Sequence, residues 1–185
     1  TSTSIGLLHG MGTVTNTSPD PVTLAVAGSG GVFNGTIDEV AGQITFVKMG
    51  TTNTQTLTGI SNYTGPTVIG ASNSTTGSLQ VSNLANIGQV SGIGRGDASS
   101  TATNAASLVF GTTTGGLIYN GTASVSTDRL FTLAGTSTTA GTTITNNCVN
   151  NAAMVFSNTN PIAFGSTVNQ LLRLSGTSLS DNWFH

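Results

Sequence analysis

Residues 44–81 read ITFVKMGTTNTQTLTGISNYTGPTVIGASNSTTGSLQV, and the alternation inside this stretch decides the fold. Ile44 and Phe46 flank Thr45, and Leu79 and Val81 flank Gln80, the period-two pattern of a strand with one apolar face. Between them, NYTGP at 62–66 carries the Asn, Gly and Pro of a chain reversal. The stretch predicts short strands joined by polar turns.

The same pattern continues in both directions. VTLAV at 22–26 and QITF at 43–46 precede SLQV at 78–81, SLVF at 107–110 and GLIY at 116–119. RLFTL at 129–133, TTIT at 142–145, AMVF at 153–156, PIAF at 161–164 and LLRL at 171–174 follow. GSGG at 28–31, GTTTGG at 111–116 and SNTNP at 157–161 separate them. Strand centres recur about every 10 to 13 residues, a spacing shared by sandwiches, barrels and solenoids.

Composition chooses among these. Charged residues make up 5% of the 185 and Gly numbers 25; Thr-rich outer faces and Asn and Gly in the turns suit a solenoid, whose residues stack in ladders from coil to coil. The expected fold is an all-β parallel β-helix, a single segment over 1–185, with two to three strands per coil and roughly seven or eight coils. Val22, Leu24, Val26, Ile44, Phe46, Leu79, Val81, Leu108, Phe110, Met154, Phe156, Ile162 and Phe164 are expected to point inward. LTGIS at 57–61 returns as LSGTS at 174–178, so a further repeat unit is expected to start near 171–185.

At this level of detail residues 44–81 resemble the autotransporter-associated β-strand repeat of long bacterial surface proteins. The resemblance rests on a "LTKxGxGTLTLSG" stretch, an "NTYTGxTxV" turn and a "GTLQV" strand, matched along ITFVKMGTTNTQTLTGISNYTGPTVIGASNSTTGSLQV. Segments 10–37, 104–135 and 150–164 resemble what flanks that repeat. Met49 and Thr51–Thr54 depart from the usual "GxGT" turn, and Ser72–Thr76 reads as a short insertion. What the resemblance implies is a right-handed parallel β-helix, export to the bacterial cell surface or beyond, and service as a stalk, adhesin or matrix element. The family offers no catalytic residues to carry over.

Charge narrows the partners. With a formal net charge of -2 and Lys48, Arg95, Arg129 and Arg173 as its cations, the chain lacks a phosphate-neutralising patch, so nucleic acid is not expected. No apolar run reaches the roughly 20 residues of a membrane helix. TSTSIGLLHG lacks the order of a signal peptide, which places any targeting segment outside this sequence. The N-x-[ST] triplets at Asn16, Asn34, Asn62, Asn73 and Asn120 are what so much Asn and Thr generates by chance.

Candidate chemistry is sparse, and neither catalytic, cofactor-binding nor metal-ligating residues are assigned. The acids are Asp20, Asp38, Glu39, Asp97, Asp128 and Asp181; a carbohydrate-active β-helix enzyme, the rival reading, needs three or more of them converging in a groove. Asp128–Arg129 is the one adjacent acid–base pair and is read as satisfying a turn or ladder end. His9 and His185 are isolated and read as surface residues, and Cys148 as a small apolar residue on a strand. Arg95, Gly96 and Asp97 spell a cell-attachment tripeptide within a Gly-rich turn, held as an attachment hypothesis that an Asp97→Ala change tests.

The Thr-x-Thr sets at Thr13, Thr15, Thr17 and Thr54, Thr56, Thr58 suit an exposed β face more than a water-ordering array. A carbohydrate-binding or adhesive module would display an aromatic patch, with Tyr63, Tyr119 and Trp183 as candidates. Neither end carries a charged or helical cap, so the expected partners are adjoining repeats or copies stacked head to tail, with surface glycans or other cells beyond them.

Overall fold

A computed structural model of the chain describes residues 2–28, 30–49, 54–70, 77–111, 115–135 and 141–185. The departures at 51–53, the insertion at 72–76 and parts of the GSGG and GTTTGG turns lie outside these residues.

The polypeptide makes repeated passes over the same faces. β1 (Ser2–Ile5) and β2 (Thr13–Asn16) form the first pass; β3 (Val22–Val26), β4 (Val32–Phe33) and β5 (Thr36–Glu39) the second. β6 (Ile44–Lys48) and β7 (Thr54–Leu57) belong to the third, and β8 (Thr67–Ile69) and β9 (Gly77–Val81) to the fourth. After an excursion containing the helix α1 (Thr101–Ala106), the fifth pass comprises β10 (Leu108–Phe110), β11 (Gly115–Tyr119) and β12 (Val125–Thr127). β13 (Thr132–Leu133), β14 (Gly141–Asn146) and β15 (Met154–Phe156) form the sixth; β16 (Ala163–Phe164), β17 (Leu171–Gly176) and β18 (Trp183–Phe184) the seventh.

Like positions in each pass pair with one another. One sheet has seven strands in the order β1-β3-β6-β8-β10-β13-β16, and a second has six in the order β17-β14-β11-β9-β7-β4. A third face carries β2-β5 and, separately, β12-β15-β18. Every named strand pair is parallel, as an all-β chain that leaves each sheet and returns to it one pass later requires.

Register turns sequence alternation into interior columns. Ile5, Val26, Lys48, Ile69, Phe110, Leu133 and Phe164 are successive partners on the first sheet. Gln55, Leu79, Leu117, Ile144 and Leu174 succeed one another on the second. Phenylalanines join the faces: Phe110 and Phe131 meet edge to face at 5.6 Å, Phe131 and Phe156 at 5.8 Å, and Phe156 stacks on Phe184 at 4.9 Å. Such pairs add specificity to the burial that drives assembly.

Most residues expected to point inward do so, with Leu24, Val26, Ile44, Phe46, Leu79, Val81, Leu108, Phe110, Met154 and Phe156 all buried. Val22 and Ile162 are half-buried. Phe164 corrects the expectation outright: it is 63% exposed. Its register is interior, but no later strand of the described chain covers it. RLFTL contributes only Thr132 and Leu133 to a ladder, because Arg129 is drawn toward the excursion. Cys148 is buried but lies just past β14, where its Sγ donates to the Gly121 carbonyl at 2.9 Å.

Polar residues hold the interior where the columns turn. Asn146 donates through Nδ2 to Ala152 O at 2.8 Å and accepts from the Cys148 N–H at 3.0 Å. Lys48 replaces an aliphatic residue in the first column; it is fully buried, and its Nζ donates to Gly28 O at 3.1 Å and Met49 O at 2.9 Å. Desolvation pulls this ammonium below its ordinary pKa of 10.5. The unfolded chain then binds more protons between the two values, so this residue makes stability rise with pH up to 10.5. Urea unfolding at increasing pH is expected to show the wild type gaining on Lys48→Met across that window; a constant difference would reject the account.

Candidate functional site

The excursion at 82–107 interrupts the third face, and the Arg-Gly-Asp turn sits within it. Its inner edge pairs with the preceding pass through an antiparallel bridge, Ser61 N–H to Ser91 O at 2.9 Å and Ser91 N–H to Ser61 O at 3.2 Å. Its outer part is α1, started by a capping box in which Ser100 Oγ accepts from Thr103 N–H and Thr103 Oγ1 accepts from Ser100 N–H.

Arg129 holds the excursion from inside. Only 1% exposed, it donates through Nε to Ala85 O at 2.9 Å and through Nη2 to Gly94 O at 2.7 Å, Arg95 O at 2.9 Å and Gln89 O at 3.3 Å. Burial lowers its pKa to about 10, which leaves it cationic at neutral pH. Its neighbour Asp128 accepts from Ile87 N–H at 2.8 Å, and Asn104 joins the Asp128 carbonyl to the Leu130 N–H. The adjacent acid–base pair therefore serves structure, each member fastening the excursion separately.

These anchors fix the backbone of residues 94–97. Arg95 N–H donates to Tyr63 O at 2.8 Å, and the Asp97 N–H donates to Ser107 Oγ at 2.9 Å. Gly94 and Gly96 adopt φ of 70° and 65°, the left-handed region that disfavours side chains. A Cβ on Gly94 would lie 2.5 Å from Tyr63 O, and one on Gly96 2.6 Å from Ile87 Cδ1. The Arg95 side chain is exposed, whereas Asp97 is half-buried and its Oδ1 accepts from Ser99 N–H at 2.8 Å. Hydrogen bonds from the Ser99 side chain and backbone hold this carboxyl below its usual pKa.

Two depressions of about 330 and 210 Å³ adjoin the turn. Both are bordered by Asp97 and, from the strand-bearing body, by Gln43 and Thr64; Arg95 borders the larger and Thr103 and Ser107 the smaller. The shared Gln43, Thr64 and Asp97 walls make them one cleft between the excursion and the third pass, lined also by Pro66, Ala98 and Ala106. Sequence reasoning singled out Arg95, Gly96 and Asp97 but not Gln43 or Thr64, and no signal in the sequence links residues so far apart.

The other candidates take different places. Glu39 accepts from the Ile44, Thr64 and Gly65 N–H groups and from Thr64 Oγ1. Among the described residues no three His, Cys, Asp or Glu side chains are grouped so as to hold a metal ion. His9 and His185 are exposed, the latter stacked on Trp183 at 6.4 Å. Tyr63 and Tyr119 are buried at 0% and 4%, leaving Trp183 as the exposed member of the expected aromatic patch. Tyr63 hydroxyl pairs with Thr67 Oγ1, and burial pushes its phenol well above the usual range. The Thr54 and Thr56 partners on the next pass are Ser78 and Gln80, so the threonine array stops there.

No helix among the described residues is long and apolar enough to cross a membrane. Comparison with known proteins finds no matching family model, no matching curated protein and no matching solved structure.

Proposed function

We propose that this chain is a structural and adhesive segment of a secreted bacterial surface or extracellular fibre protein, folded as a right-handed parallel β-helix of seven coils whose ends stack on adjoining repeats or on copies of itself. The observation that carries the reading is at the last pass. Phe164 and Leu174 stand in columns whose preceding members are 3% and 1% exposed, yet they are 63% and 58% exposed themselves. One more coil, adding about 4.8 Å along the axis, would cover both and satisfy the β16 and β17 edges.

At the opposite end β1 and β4 are the outer margins of the same two sheets and supply the partner edges. The resemblance of residues 44–81 to the autotransporter-associated repeat supports the surface location, and the low charge supports ladder stacking. No catalytic role is assigned.

Cryo-electron microscopy of native material tests the reading by asking whether strands continue past β16 and β17. Continuous stacking into the following coil is the expected result. Dispersed particles with capped ends would overturn it.

A further inference from the structure

We infer that the cleft beside the Arg95–Asp97 turn binds a carboxylated sugar unit of an acidic polysaccharide. Of the four cations, Lys48 and Arg129 are buried and spent on backbone carbonyls, and Arg173 is on β17 beside the open end. Arg95 is the exposed cation on a concave surface. Its side chain has no hydrogen-bond or ion-pair partner among the described residues, while its N–H and C=O are both tied to the body. A buried arginine and two left-handed glycines thus fix a backbone whose outward guanidinium does nothing for the fold.

A guanidinium carried on such a fixed backbone meets a planar carboxylate through two parallel N–H donations. Around it stand neutral or singly charged groups: the Gln43 amide, the Thr64 and Thr103 hydroxyls and the Asp97 carboxylate. Because the Thr64 and Thr103 hydroxyls donate to Glu39 and to the Ser100 carbonyl, the Gln43 amide is the group among them that offers both a donor and an acceptor to ring hydroxyls. No aromatic and no long aliphatic side chain borders the cleft, which disfavours an acyl chain or apolar peptide. Arg95 beside the Asp97 carboxylate gives the cleft no net charge, which suits one carboxylate per sugar ring better than the denser charge of a polyphosphate, and the engagement of Asp97 by Ser99 disfavours a protein receptor reaching for both charges.

This inference deepens the adhesive part of the proposed function and rests on it only for the setting in which a polysaccharide is met. Its test is calorimetric titration of the protein with a galacturonate trisaccharide and with the neutral galactose trisaccharide. The acidic sugar is expected to bind and the neutral one to bind far more weakly. Arg95→Gln, a change at an exposed side chain, is expected to weaken acidic-sugar binding about tenfold, with Arg173→Gln unchanged. Equal affinity for the two sugars, an unaffected Arg95→Gln variant, or no heat with either sugar would overturn the assignment. So would capture of an adhesion receptor that Asp97→Ala abolishes. End stacking is read separately by microscopy, so failure of the sugar leaves that result standing, and the converse holds.

Discussion

Arg129→Met is expected to lower stability by about 3 kcal/mol, roughly 10 °C in melting temperature for a chain of this size, and to open residues 82–107 to limited proteolysis before the rest unfolds. Replacing a buried ion by an apolar side chain is often neutral, because the desolvation cost disappears with the charge. Here the partners decide the sign. Arg129 reaches four carbonyls on one excursion, and methionine supplies none of those donors. The loss is bounded because Ala85 O keeps Thr127 Oγ1, Gly94 O keeps Ser91 Oγ and Arg95 O keeps the Gly88 N–H. It is bounded also because Nη1 makes no hydrogen bond to be lost.

Arg129→Lys is expected to rescue little, since an ammonium cannot span the Ala85 and Gly94 carbonyls as a planar guanidinium does. Thermal unfolding together with the positions of the first proteolytic cuts checks both variants. A loss below about 1 kcal/mol, or first cuts elsewhere, would remove Arg129 from its role as the clamp of the excursion.

That clamp marks where the sequence stops being legible. Alternation within β6, β9, β10 and β15 identified buried side chains correctly because each needs only its own strand's period and a covered inner face. Phe164 has the same local pattern as Phe156, yet their exposures are 63% and 4%. The difference lies in whether another pass covers them, which no local window contains. The excursion could not be read from spacing alone, because the gap from QITF at 43–46 to SLQV at 78–81 is longer than that from SLQV to SLVF at 107–110. Nor could its fastening, because the Arg129 contacts join residues 34 to 44 positions apart.

The site divides in the same way. Glycines on either side of Arg95 announced a special backbone, and the tripeptide drew attention to its charges. The cleft itself needs Gln43 and Thr64, brought alongside by the packing of the third pass against the excursion. Tyr63 misled for a related reason: in NYTGP it reads as an exposed turn aromatic, whereas it packs against Phe46 at 6.4 Å and lends its carbonyl to Arg95.

The second large effect is expected at the open end. Phe164→Glu combined with Leu174→Glu should weaken end-to-end association at least about a hundredfold while leaving the unfolding free energy of the unassociated chain nearly unchanged. Each side chain already gives most of its surface to water, so little burial is lost within the chain. Stacking would cover both, and burying a large apolar side chain contributes about 1.5–3 kcal/mol, so two together account for about two decades in affinity. Carboxylates in those columns would instead be carried, unpaired, against the next coil, which costs more than the lost burial alone.

Position within the column separates this effect from general destabilisation. Phe110→Ala and Leu117→Ala change earlier members of the same two columns, both fully buried, and are expected to cost about 3–5 kcal/mol without acting on the end. Sedimentation velocity across a concentration series, paired with urea unfolding, reads the two quantities independently. Unchanged association in the double-glutamate variant would mean that the exposed interior columns are not the junction, and that any fibre grows through the lateral faces of the sheets.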